Sequence, residues 1–402
     1  MNPIYILFSG LFCAYVGQSI LAPVLSPIVR ELGLSESQGG LIMALSAVVW
    51  VLTSPVWGRR SDFWGRKPVF VLGLFGYGLG VGVFGLVIQL GLNGVFEGSL
   101  MLLLVLLILA RAIVGALFSA APPTAQAYVA DVTEGSARTA GIALIASATS
   151  LGTIFGPVVG AVVVPLGLVA PILVSSALAI GAALVVGFWL PRAQPRAKRG
   201  DAPMPRISPR DQRVWPFLAL GVTLTTALSA VQFTVAFYFQ DRLALNAQET
   251  TQLVGLGLMA SGAATLFSQL VLVRFFRWPP AMLLRIGLPL VLAALLTLIS
   301  ATTFPALVLA LILQGLGMGL AMPGYQSGTT FAVTPREQGA VAGLNSSIGG
   351  LGFVFGPLFG TSLYEVNMLL PYAFCIIAII GGLALLWLHP RLRVSQTVAQ
   401  AA

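Results

Sequence analysis

Long apolar runs follow one another along this chain with only short polar interruptions, and each is about as long as the 20 or so residues a helix needs to cross a bilayer core. Cut at charges and at Pro/Gly-rich turns, the sequence yields twelve such spans. They cover residues 4–28, 38–58, 68–91, 101–125, 139–164 and 168–190, then 215–239, 250–273, 281–301, 304–328, 338–362 and 369–389. The first run has no Lys or Arg before it and is too long for the apolar region of a signal peptide, so it reads as a retained helix. Only one hydrophilic stretch is long, PRAQPRAKRGDAPMPRISPRDQRV over 191–214; it has nothing to bury and predicts a flexible linker. The expected architecture is all-α and integral to the membrane, with a six-helix bundle over 1–190, a cytoplasmic linker over 191–214 and a second six-helix bundle over 215–402.

Composition agrees. Of 402 residues 57% are hydrophobic, against 21 Lys+Arg and 12 Asp+Glu; a soluble chain of this length would carry about 100 charged residues. A mean hydropathy of +0.96 leaves too little polar surface to cover a water-soluble globule. The net charge of +9 would suggest nucleic acid in a soluble protein, but here the cations are first of all topology signals. Placing alternate loops and both termini on one side gathers 18 of the 21 basic residues there, among them Arg59, Arg60, Arg66, Lys67, Arg138, the cluster from Arg192 to Arg213, Arg274, Arg277, Arg285, Arg336, Arg391 and Arg393. The other side receives Arg30 and Arg242 with the acids Glu31, Glu36, Glu97, Asp241, Glu249 and Glu365. Both termini are therefore expected in the cytoplasm and the linker reads as a positive-inside anchor, with no nucleic-acid partner. One histidine, His389, and two cysteines within apolar runs, Cys13 and Cys375, argue against a metal site or a disulfide.

The chain repeats itself. Segment 143–160, ALIASATSLGTIFGPVVG, matches 343–360, GLNSSIGGLGFVFGPLFG, at eight of 18 positions, and the same offset of 200 pairs Gly115 with Gly315 and Pro123 with Pro323. Span 5 thus corresponds to span 11 and span 4 to span 10. A repeat of six spans keeps its orientation, so the halves are parallel repeats with a substrate cavity expected between them.

Candidate chemistry sits in three places. Between spans 2 and 3 runs Gly58-Arg-Arg-Ser-Asp62-Phe-Trp-Gly65-Arg66-Lys67-Pro68: Gly58 is read as the exit from helix 2, Gly65 as a tight reversal and Pro68 as first-turn helix chemistry. Asp62, among cations, is placed to pair with one of them or with a helix N-terminus. This loop resembles the signature cytoplasmic loop of the major facilitator superfamily, G-x-x-x-D-x-x-G-R-K. The resemblance implies a conformational latch in which Asp62 braces the first half against the second when the cavity faces outward and Arg66 pairs with an acid at the cytoplasmic end of helix 4, here Asp131.

In span 5, Gly152, Gly156, Pro157 and Gly160 set small residues four apart beside a helix-bending proline. The pattern resembles the antiporter signature G-x-x-x-G-P-x-x-G-G of drug:proton exporters in that superfamily, with Ala161 in place of the last glycine. Span 4 holds Arg111, about 15 Å along its helix, where an isolated cation is costly and by default functional. The family pattern R-x-x-Q-G is met there at Arg111 and Gly115, with Val114 for the Gln. No Asp or Glu falls deep in any span, so proton coupling would use peripheral acids such as Asp62 or Asp131, protons competing with substrate near Arg111, or no protons at all.

Polar residues within spans are cavity candidates or fasteners of neighbouring helix backbones: Tyr15, Gln18, Gln232, Tyr238, Gln314 and Asn345. Together with Phe12, Trp50, Phe233 and Phe237 they favour an amphipathic organic solute, neutral or anionic beside Arg111, over a cation. The resemblance implies a monomeric inner-membrane exporter working by alternating access with possible proton coupling and no cofactor. An importer of a small organic nutrient or anion is the alternative. A membrane-embedded enzyme or receptor is a distant third, lacking any His, Cys or carboxylate constellation in the spans.

Overall fold

A computed structural model describes residues 2–192, 207–276, 278–334 and 336–393. Twelve of its helices are long and apolar enough to cross a membrane, with the described residues entirely helical apart from turns and short connections. The first six spans are α1 (Pro3–Glu31), α2 (Glu36–Trp64), α3 (Arg66–Leu92), α4 (Leu100–Phe118) continued by α5 (Ala121–Val132), α6 (Gly135–Val163) and α7 (Ala170–Trp189). The second six are α8 (Trp215–Leu243), α9 (Ala247–Phe267) continued through a π-helical turn, Ser268–Val273, into α10 (Arg274–Phe276), then α11 (Pro280–Ser300), α12 (Phe304–Phe331), α13 (Gln338–Val366) and α14 (Leu370–Leu388); a short α15 (Pro390–Arg393) follows. Most of the 191–214 linker, residues 193–206, lies outside the described residues.

The helices outrun the apolar runs that announce them. Helix α2 continues six residues past Gly58 to Trp64, so Gly58 is not the exit from helix 2; it is helical, and an added Cβ there would meet nothing within 4 Å. The turn falls instead at Gly65, whose φ of 91° is open to glycine at little cost. Polar residues form these end turns because they reach the headgroup zone, where hydropathy no longer marks the helix but backbone bonding continues. At the start of α2, Ser35 and Gln38 form a capping box and Arg30 pairs with Glu36 at 2.7 Å. Span 4 is interrupted at Ser119–Ala120, just before Pro122-Pro123, where the missing donors break the α-helical ladder.

Two compact units emerge, Met1–Arg199 with Leu245–Leu256, and Gly200–Ala244 with Gly257–Ala402. In the first, α1 packs on α6 and α7, α3 on α4 and α7, and α2 on α4. In the second, α8 packs on α13 and α14, and α11 on α12 and α14, which is the same pairing shifted by six spans. Outer faces expose large apolar side chains such as Leu52, Phe188 and Ile377, as a lipid-facing surface requires.

Candidate functional site: a charged fastener, a glycine seat and a buried arginine

At the basic end of the first unit Arg66, the first residue of α3, joins three partners. Its Nη2 meets Asp62 Oδ1 at 2.7 Å, its Nε meets Asp131 Oδ2 at 2.8 Å and its Nη1 donates to Ser61 Oγ at 2.6 Å. Ser61, fully buried, donates in turn to the carbonyl of Gly58. One guanidinium thus fastens the end of α2 and the start of α3 to the end of α5. Its planar fork presents three separate nitrogens to two carboxylates and a hydroxyl, which a lysine could serve only from a single point charge. Arg66 and Asp131 are both mostly shielded, at 12% and 13% side-chain exposure, so water screens the pair less than it would a surface bridge. Lys67 stands beside this cluster in sequence without joining it among the bonds described.

The glycines of span 5 form a seat for α1. A Cβ on Gly152 would come within 2.7 Å of Tyr15 Cβ and 2.9 Å of the Phe12 carbonyl, and one on Gly156 would strike Ser19 Oγ and the Val16 carbonyl. Gly160 faces the Ile20 carbonyl at 3.4 Å. The close approach lets Ser19 Oγ donate across the interface to the carbonyl of Gly152 at 3.0 Å. Pro157 follows Gly156 inside α6, and the helix runs on through it. The second unit repeats the seat: Gly352 and Gly356 leave room for Thr225 and Ser229, and Ser229 Oγ donates to the carbonyl of Gly352 at 2.5 Å.

Arg111 is 1% exposed in α4. Ser46 Oγ donates to its backbone carbonyl at 2.8 Å, possible because Gly115, one turn later, lets α2 approach; a Cβ there would lie 2.5 Å from the Ser46 carbonyl. Two of its side-chain donors, Nε and Nη1, are buried without a hydrogen-bond partner among the described residues, and so is the acceptor Oε1 of Gln18. Two turns on, Phe118 gathers Tyr77, Trp50 and Tyr15 at ring distances of 4.6, 5.0 and 5.3 Å. The guanidinium is thus a buried cation beside an aromatic cluster, with donors that no described residue takes up.

Set against known proteins, the chain matches the family model described as Major Facilitator Superfamily over residues 7–302 and 277–401. The chain belongs to this superfamily. It is similar to Multidrug resistance protein 1 of Bacillus subtilis, 26% identical over 94% of each chain. It is also similar to the class C tetracycline resistance protein of Escherichia coli, 24% identical over 91% of this chain and 90% of that one. Among solved structures, a bacterial homolog of the human lysosomal transporter Spinster superposes with a TM-score of 0.76 at 14% identity, covering 96% of this chain and 95% of that one. Family and fold are those of membrane transporters and not of enzymes, and the twelve spans make it a multi-pass membrane protein.

The remaining cavity candidates of this superfamily member divide. Tyr238 is fully buried and donates to the Leu298 carbonyl at 2.9 Å while receiving Arg242 Nε at 3.0 Å, so it ties α8 to the end of α11. Asn345 Nδ2 donates to Thr329 Oγ1 at 2.9 Å, fastening α13 to α12. Gln314 is buried on α12 and Gln232 half-buried on α8. The roles of three serines in these contacts escaped sequence reading: Ser19, Ser46 and Ser229. A serine within an apolar run carries no distinctive spacing; only its position opposite a glycine of another helix singles it out.

Proposed function

We propose that this transporter exports amphipathic organic compounds across the inner membrane by alternating access in exchange for protons, with its basic end in the cytoplasm. The observation that carries the reading is the seat of Gly152, Gly156 and Gly160 on α1, built from the antiporter-like pattern. The names of the relatives, a multidrug and a tetracycline resistance protein, support the same direction. Arg66 with Asp62 and Asp131 acts in this reading as a latch that forms in one state and opens in the other. Arg111 offers Nε and Nη1 to a substrate acceptor, which favours neutral or anionic solutes over permanent cations. Proton exchange draws on the peripheral acids Asp62 and Asp131, since no carboxylate lies deep in a span.

The test is purified protein in liposomes, screened across a compound panel with and without a pH gradient. Gradient-driven efflux of neutral or anionic amphiphiles is expected. Flux independent of the gradient would remove the proton exchange, and preference for permanent organic cations would remove the role given to Arg111. Increased uptake into intact cells on expression would make the protein an importer instead.

A further inference from the structure

Arg285 is a cation in an unusual place. Helix α11 buries Leu284, Leu288, Val291 and Leu295, whereas Met282, Pro289 and Leu296 are exposed. Arg285 stands three residues after Met282 and four before Pro289, at the half-buried edge of that outward stripe with its Nε buried. It lies about 8 Å in from the start of α11 at 1.5 Å per residue, inside the apolar zone yet within reach of the headgroups. Its guanidinium carbon sits 5.4 Å from the ring centroid of Trp387 on α14, and that tryptophan is 56% exposed on the stripe it shares with Ile377 and Ile380. The flanking segments carry Arg274, Arg277, Arg391 and Arg393, and neither they nor α11 and α14 contain a carboxylate.

The first unit supplies an internal control. Gly73 and Gly287 occupy matching positions, their added Cβ atoms directed at the backbone nitrogens of Ala121 and Ala321, 3.1 and 2.7 Å away. Two residues before these glycines stand Val71 and Arg285. The residue of α7 facing Val71 is Gly187, whose Cβ would lie 3.9 Å from Val71 Cγ1, and Gly187 matches Trp387 at the repeat offset of 200. One scaffold therefore carries Val71 with Gly187 in one unit and Arg285 with Trp387 in the other. The helix contact does not need the Arg/Trp pair, since the same fold makes it without one.

We infer that Arg285 and Trp387 form a binding site for the headgroup of an anionic phospholipid at the basic end of the second unit. The guanidinium binds the phosphate as a fork, the indole covers the guanidinium at the interfacial level where tryptophan is favoured, and the acyl chains run along Met282, Pro289, Ile377 and Ile380. A charge-bearing lipid is selected because Arg285 is itself cationic and the segments that adjoin α11 and α14 in the sequence are basic and hold no Asp or Glu.

The experiment is native mass spectrometry of the full-length, delipidated protein, titrated with phosphatidylglycerol or phosphatidylcholine. The wild type should retain phosphatidylglycerol in preference, and Arg285→Val and Trp387→Gly, which install the other unit's residues, should each cut that retention about fivefold, one interfacial cation's worth. Equal retention by wild type and both variants would overturn the site. Displacement of the bound lipid by millimolar inorganic phosphate would also overturn it, since the site would then be one for a free anion. Should either variant fail to fold, quenching by brominated lipid, read as the difference between wild type and Trp387→Phe, decides: stronger quenching by brominated phosphatidylglycerol than by brominated phosphatidylcholine is expected, and equal quenching overturns the proposal.

Discussion

The two units share their interior and differ at their charged ends. In mid-span, Ser19 on the Gly152 carbonyl and Ser229 on the Gly352 carbonyl are the same contact made twice. At the basic end each unit places one arginine between two carboxylates, yet the helices fastened are different. Arg66 with Asp62 and Asp131 joins spans 2, 3 and 4. Arg213, just ahead of α8, pairs with Asp211 at 2.8 Å and with Glu337 at 3.0 Å, joining spans 7 and 11. Beneath that second fastener Val214, Leu218, Val341 and Ile348 form a small apolar core. Close helix packing tolerates little variation because backbones touch; ion pairs in the headgroup zone can be rearranged without repacking a helix, so that is where one half can acquire a role the other lacks.

The largest effect should come from breaking the shared part. Gly156→Val and Gly356→Val each thrust a side chain into a serine of the neighbouring helix and should cost about 1–3 kcal/mol or abolish folded yield, measured by thermal unfolding in detergent. Gly181→Ala and Gly381→Ala, where nothing lies within 4 Å, should leave stability unchanged. If the glycine seats tolerated valine, close packing would not be what the repeat preserves.

Next is the fastener of the first unit. Asp131→Asn should cost about 2 kcal/mol, leaving the shielded Arg66 short of a charge partner, and should lower transport in the liposome assay about tenfold, as a latch contact of roughly 1.4 kcal/mol would. Unchanged flux and unchanged distances between the halves in spin-label measurements, for Asp131→Asn and Asp62→Asn together, would reduce the cluster to a structural clip.

Arg111→Gln separates stability from transport. Removing a buried cation with unused donors should leave the melting temperature unchanged or higher while transport falls, whereas loss of both would make Arg111 a helix fastener.

The smallest effect belongs to the second fastener and is read by pH. The Arg213 guanidinium and the backbone and hydroxyl donors of Thr334 hold the Glu337 carboxyl down to about 2 from an ordinary value of 4.5, and the carboxylates of Asp211 and Glu337 in turn raise Arg213. Because the folded value is the lower one, the contribution is complete above pH 4.5 and fades as pH falls toward 2. The difference in melting temperature between wild type and Glu337→Gln should shrink across that window; a constant difference would mean that the charge of Glu337 is not what it contributes.

Much of this was legible without coordinates. Hydropathy located twelve spans, and the repeat at 143–160 and 343–360 identified which helices correspond. Hydropathy missed the polar ends of helices, Gly58 to Trp64 above all, because the backbone goes on bonding where the bilayer's apolar core has ended. Nor could it choose between the two roles left open for Tyr238 and Asn345: a polar side chain in a span looks the same whether it faces a cavity or a polar atom of a neighbouring helix.

The sequence by itself determined the solvent, the number of spans, the two-fold repeat and the family, since all of these follow from composition and spacing along one dimension. Only the tertiary structure decided which serine answers each glycine, that Ser61 joins Asp62 and Asp131 on the Arg66 guanidinium, and that Arg285 meets Trp387 where the other unit has Val71 and Gly187. Such pairs are set by how helices abut, and a short-ranged contact between distant segments leaves no periodicity in either of them.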